Sequence, residues 1–258
     1  MHGNWNRLRA VFGENNKTVV IADDFTDVVA DIAVYKPKNL QSELPKNFLF
    51  GNFEKYLYYP AFCKGTDVEE LEKRVSEGKI DGIYAENYAG VLFAERNNLK
   101  IFAGIGFNFI NSLAIREFLR LPNARYYAIS KETNIREGSA LIGENAFVLA
   151  SGGIKLMDLC YCPFGKTCTS CDKKDLYNLT DENGREFPVR RYLAGNGACR
   201  FEVYNCADLI GQGLKGAGRI LDLTLIKNKK AACFAKTDEE QKKLYKNYTS
   251  GHFKRGVL

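Results

Sequence analysis

Cys162, Cys168, Cys171 and Cys199 have the residue type and spacing of a metal site. Five residues separate the first two, two the next pair and 27 the last. A C-x2-C pair lets two thiolates reach one centre without backbone strain, and distant ligands tie separate loops to it. Pro163 stiffens the turn after the first ligand, while Lys166 and Arg200 would favour thiolate over thiol. Spacing alone leaves zinc and an iron-sulfur cluster both open, because each accepts four thiolates. Cys63, Cys160, Cys206 and Cys233 read as small buried hydrophobes.

Proteolytic chemistry finds less in the sequence. A serine or cysteine nucleophile needs a histidine base, and the histidines are His2 and His252, near the two ends. There is no H-E-x-x-H pattern for a zinc hydrolase. Acid-base work would fall to Glu86 or Glu132, with no convincing pairing of carboxylates.

The elements that must position these residues alternate. Short apolar or aromatic runs at 18–22, 56–59, 82–85, 100–104, 125–129 and 146–150 read as strands. Between them, Thr66 and Glu69 form a capping-box pattern for a helix ending near Gly78, and a second helix is expected after Asn111. This alternation predicts a parallel α/β unit with functional loops at the strand C-terminal ends, although only part of an eight-stranded barrel can be counted. The fold class is therefore α/β: a partial (β/α) barrel-like parallel sheet over residues 1–150, then a cysteine-rich α+β segment over 151–258. That segment should hold a hairpin turning at Asn183-Gly184, a strand at 219–226, and a helix from Asp238 to Asn247 capped by Thr237 with Glu240.

With 258 residues and 45% hydrophobic composition, the chain can bury a core without disulfides. Met1 to Val20 lacks the charged-then-apolar order of a secretory leader, so a reducing cytoplasm is expected, where clustered thiols bind metal or do chemistry. No apolar run approaches the roughly 20 residues of a membrane span. The net charge of +6 permits contact with RNA without demanding it, and the basic tail His252, Phe253, Lys254 and Arg255 is the segment that could touch phosphate and stack on a base.

Several motifs occur together in this chain: KIDGIYAENYAG, YYAISKE, GGIKLMDLCYCPFGKTCTSC, the DENGREFPV hairpin and ACRFEVYN. In combination they resemble the collagenase-like peptidases of family U-32. The likeness is close from about Lys79 to Asn205 and looser at RILD and GHFKRGVL. It implies a barrel fold and, through members similar to iron-sulfur proteins, a 4Fe-4S cluster on Cys162, Cys168, Cys171 and Cys199. The expected function is oxygen-independent hydroxylation of RNA or of a small aromatic precursor. A peptidase and a non-catalytic zinc-stapled scaffold are the alternatives. The resemblance also places Asn87, Asn108, Asn111, Ser112, Ser130 and Glu132 at polar strand ends, with Glu132, Asn108 and Asn111 as the catalytic candidates. The family's glycine-alanine-aspartate strand motif is not recognisable in Met1 to Phe53, and Cys160 stands where a cysteine is unusual. The chain thus reads as a shortened member resembling the carboxy-terminal part of the family, which would assemble with a longer relative or with itself.

Overall fold

The computed structural model describes residues 15–251 except 166, 167, 212 and 236. Seven short strands run in order around a barrel: β1 (Thr18–Ala22), β2 (Ile32–Tyr35), β3 (Glu54–Tyr59), β4 (Gly82–Ala85), β5 (Lys100–Ala103), β6 (Ala124–Ala128) and β7 (Ala146–Gly152). Each pairs in parallel with the next. The helices between and beside them are α1 (Lys46–Leu49), α2 (Gly65–Glu77), α3 (Tyr88–Arg96), α4 (Ser112–Phe118) and α5 (Ile135–Ser139).

Period-two patterning explains why these strands close. Alternate residues, among them Val19, Ile21, Tyr56, Tyr58, Tyr84, Phe102, Tyr126 and Phe147, fill the barrel interior. Their neighbours, such as Val20, Leu57, Ile83, Ile101 and Val148, pack outward together with helix residues Leu71, Val91, Ile115 and Phe118. With both faces covered, the strands read as apolar runs rather than as clean alternation. The interior is aromatic, with Tyr58 stacked on Tyr84 at 5.9 Å and Phe102 against Phe147 at 5.0 Å. Gly82 makes room for this filling, because a Cβ there would stand 2.3 Å from the Tyr56 ring.

A four-stranded antiparallel sheet follows β7 in the chain, in the order β8-β11-β10-β9. Its strands are β8 (Lys155–Leu159), β9 (Leu176–Thr180), β10 (Glu186–Leu193) and β11 (Cys199–Tyr204). The expected hairpin is β9-β10, with Gly184 at φ 74° in its turn. Then come β12 (Asp208–Leu209) and β13 (Gly218–Asp222), helices α6 (Lys229–Phe234) and α7 (Asp238–Lys242), and β14 (Tyr248–Thr249). β12 pairs with β7 and β14.

β13 inserts in parallel between β7 and β1 and closes the barrel at eight strands. The barrel is thus closed, where only part of it was countable from the sequence. The division expected at residue 150 falls inside β7 and leaves β13, the eighth barrel strand, on its far side. Two extents are shorter than predicted. The strand expected at 219–226 ends at Asp222, whose side chain accepts the Thr224 N–H at 3.0 Å and turns the chain. The last helix keeps its Thr237–Glu240 capping box but stops at Lys242, and the chain re-enters the sheet at Tyr248. The cap of α2 also differs from the expected Thr66 and Glu69. The Lys64 N–H donates to Asp67 at 2.6 Å, and Asp67 is fixed from outside the helix by the Gly195 N–H at 2.7 Å and Arg200 at 2.7 Å. No helix among the described residues is long and apolar enough to cross a membrane.

Candidate active site and thiol loop

A cavity of about 380 Å³ opens at the C-terminal ends of the barrel strands. The residue after each of several strands points its chemistry here: Lys36 follows β2, Glu86 follows β4, Lys131 and Glu132 come shortly after β6, and Asp222 ends β13. Loops after parallel strands are free to carry polar groups because the barrel below them supplies the rigidity.

One face of the antiparallel sheet lies over this mouth. Along β11, alternation sends Arg200, Glu202 and Tyr204 to one face and Cys199, Phe201 and Val203 to the other. Glu202 is buried and accepts from Arg190 at 3.1 Å and from the Tyr204 hydroxyl at 2.9 Å, with Lys36 Nζ 3.0 Å away. Burial opposes its ionisation, but Lys36, Arg190 and Lys155 together hold its carboxyl far below the usual carboxylate range. Lys155, at the start of β8, donates to the Tyr58 hydroxyl at 3.0 Å and lies 3.0 Å from Asp158 and 3.9 Å from both Glu86 and Glu202. Burial would lower its pKa, yet Glu86, Glu202 and Asp158 outweigh that and raise it, so it is a fixed cation.

Glu86 behaves oppositely. Burial is the largest influence and raises its pKa. Lys155 and Lys36 resist, while Asp158 and Glu202 add to the rise. The mouth therefore holds two carboxyls with their titrations pushed apart, Glu202 locked as an anion and Glu86 biased toward keeping a proton. Gly106 permits this packing, since a Cβ there would come 2.4 Å from the Glu86 carbonyl oxygen.

Of the catalytic candidates from the sequence, Asn108 and Glu132 line the cavity. Asn108 adopts the left-handed conformation at φ 50°, ψ 49°, which asparagine tolerates better than most residues. The Ser130 hydroxyl donates to the Asn108 side chain and accepts the Glu132 N–H at 3.1 Å, so the three form one chain of hydrogen bonds. Asn111 is placed elsewhere. It caps α4 by accepting the Ala114 N–H at 2.9 Å, and Ser112 is the first residue of that helix. Asn87 likewise caps α3 and donates to the Ala61 carbonyl at 2.6 Å. Sequence reading missed Lys36, Lys131, Lys155, Asp222 and Glu202. A single charged residue directly after a short apolar run, as at Lys36 and Asp222, was the available signal.

None of the cysteines lines the cavity. Cys171 accepts the Lys173 N–H at 3.4 Å and stands 3.6 Å from the Tyr177 hydroxyl. These two groups bias it toward thiolate. Arg191 donates to Cys199 at 3.4 Å and to the Lys173 carbonyl at 2.7 Å, and so bridges the two thiol neighbourhoods. Arg191, rather than the expected Arg200, is the cation beside Cys199. Neighbouring strand residues face opposite ways, and Arg200 turns to Asp67 instead. Lys166 lies outside the described residues. Cys160, Cys162 and Cys168 are exposed, and Cys63, Cys206 and Cys233 partly buried.

The donor chemistry at Cys171 and Cys199 fits a metal-thiolate edge, since N–H groups point at both sulfurs. Among the described residues no group of three or more His, Cys, Asp or Glu side chains stands together as a metal site.

No protein family and no curated protein matches this chain by sequence. Two solved structures are similar in shape. One is the spore cortex-lytic enzyme SleL of Bacillus megaterium QM B1551, at 10% identity and a TM-score of 0.35, covering 81% of this chain and 70% of that one. The other is the SleL of Bacillus cereus, at 8% identity and a TM-score of 0.34, covering 92% and 75%. Both likenesses are too weak to carry a functional inference.

Proposed function

We propose that the protein is an enzyme acting on a small, ring-sized polar molecule in the barrel mouth, with Glu86 as the proton-carrying group and Lys155 as the fixed cation beside it. The observation that carries this reading is the buried Glu86–Lys155 pair at the edge of a cavity. Burying charge without a partner costs several kcal/mol, and a fold with no use for such a pair would do better with apolar side chains. The cavity volume suits one aromatic ring or one unpaired base, and the Tyr58–Tyr84 stack forms part of its wall. This agrees with the small aromatic precursor or RNA base that the U-32 resemblance implies. Peptide hydrolysis is less well supported, because the sequence carries no histidine between Gly3 and Gly251 to serve as a general base.

Ligand-observed NMR with 4-hydroxybenzoate and uridine tests the site. Binding by the wild type should be lost in Ala61→Trp, which fills the mouth without touching the charged groups. Equal signals from both proteins, or none from either, would refute the reading.

A redox centre in the thiol loop is the second reading, favoured by Arg191, which donates both to Cys199 and to the carbonyl of Lys173, two residues from Cys171. When bound, an iron-sulfur cluster would supply electron transfer; zinc would supply only a staple. In anaerobically purified protein, iron or zinc content should fall to background in Cys171→Ser and Cys199→Ser and stay intact in Cys233→Ser. Iron with a visible band that air bleaches supports the cluster, and about one colourless zinc per chain supports the scaffold. Equal loss in Cys233→Ser would overturn the ligand assignment. A reducing cytoplasm is the compartment that suits free thiols. Contact with RNA through residues 252–255, and assembly with a longer relative or a second copy, belong to this same reading. The tail lies outside the described residues.

A further inference from the structure

Three lysines line the cavity, and they are not equivalent. Lys36 is matched by Glu202 at 3.0 Å and the Tyr204 hydroxyl at 2.8 Å. Lys155 is matched by Asp158 at 3.0 Å, with Glu86 and Glu202 close by. Lys131 is half-buried, and its Nζ donates to the Lys155 carbonyl at 2.9 Å. Among the described residues no carboxylate stands within ion-pair distance of it. The charged groups that bear on it are Glu132 and Glu86, which favour its charged form, and the Lys155 cation, which opposes it.

We propose that Lys131 is an imine-forming amine that takes a small aldehyde or ketone in the barrel mouth. An ammonium that is desolvated, lacks a counter-ion at contact distance and neighbours a permanent cation is the arrangement that frees an amine for attack on a carbonyl. Burial, the largest influence, sets the direction and lowers the pKa of Lys131. The two paired lysines are already engaged, Lys36 by Glu202 and the Tyr204 hydroxyl and Lys155 by Asp158.

The step balances without an oxidant or reductant. The neutral Lys131 amine adds to the carbonyl carbon, forming the C–N bond while the C=O π pair moves to oxygen, which takes up a proton as nitrogen gives one up. The resulting hydroxyl leaves as water after accepting a second proton, and the nitrogen lone pair forms the C=N bond of a protonated imine. That nitrogen then returns the second proton to the group that supplied it, so one amine and one carbonyl give one imine and one water. Glu86, biased by burial toward its protonated form, supplies the proton for the leaving hydroxyl.

This inference rests on the barrel mouth being a small-molecule site and is independent of the thiol loop. The test is reductive trapping of the full chain with 4-hydroxybenzaldehyde and sodium cyanoborohydride, read by peptide mass spectrometry. Lys131 should label at least about tenfold faster than exposed lysines at neutral pH. Lys131→Arg should remove the fast phase, and the wild-type peptide pattern gives the answer even if that variant folds poorly. Labelling of Lys131 no faster than exposed lysines would overturn the proposal, as would a fast phase persisting in a folded Lys131→Arg. Added 4-hydroxybenzoate should slow the fast phase. Fast labelling without that protection would sink the ring-sized ligand and leave the amine standing, whereas ligand binding with slow labelling would do the reverse.

Discussion

Asp208 on β12 and Glu202 on β11 are carboxyls that folding pushes in opposite directions. Burial, then the nearby charge of Asp222, pushes Asp208 up to about 6. Its unfolded value is about 3.9, so folding takes up a proton in the interval between them. Stability from this site falls as pH rises from about 4 to about 6 and stays lost above that. Asp208→Asn removes the penalty and should stabilise the protein at pH 7 by on the order of 1–2 kcal/mol, with no gain near pH 4. Urea unfolding at the two pH values checks this, and an equal effect at both would contradict it. For Glu202 the folded pKa is depressed. Its contribution is present above the unfolded value of about 4.3 and is lost as pH falls toward the folded one. Neither role was legible from residue type. Glu202 sits in CRFEVY, where strict alternation marks a strand, but alternation normally sends the charged face to water. Here both faces are covered, and only the structure shows Lys36 and Arg190 waiting for the charge.

Among the elements, α2 and the antiparallel sheet are joined by one buried carboxylate. Asp67 accepts from Lys64 and Gly195 backbone N–H groups and pairs with Arg200 at 2.7 Å, and it is fully buried. Asp67→Asn leaves the Arg200 guanidinium without its counter-charge in a buried setting. It should destabilise the fold by roughly 3–5 kcal/mol. A chemical-denaturation midpoint within error of wild type would mean that the sheet is not anchored through this residue. The sequence made the β9-β10 hairpin readable because Asn183-Gly184 names its turn, and it made α4 and α7 readable through Asn111 and Thr237. It hid β2, whose IAVY is only four residues long and runs into a Lys-Pro-Lys stretch. The start of α2 was misplaced because the residue that fixes it is held by tertiary partners, not by a local box.

At the scale of the whole molecule, the strand that closes the barrel arrives only after the antiparallel sheet has been laid down. β13 enters between β1 and β7, and its apolar run carries no local mark of that destination. The mouth has the same origin, because Glu86, Lys155 and Glu202 meet from three distant parts of the chain. That separation is why Glu132 and Asn108 could be picked out as strand-end residues while the charge network around them could not. The properties of Glu86 therefore report on the entire assembly: barrel closed, sheet seated over its mouth, Lys155 delivered beside the carboxyl. The most direct test is a pH titration of the Glu86 side-chain carboxyl by carbon-13 NMR, with the resonance assigned by its disappearance in Glu86→Gln. A midpoint above the free glutamate value of about 4.3 is the expected result. A midpoint at or below that value would show that the mouth does not hold a proton-carrying carboxyl, and the proposed site would fall with it.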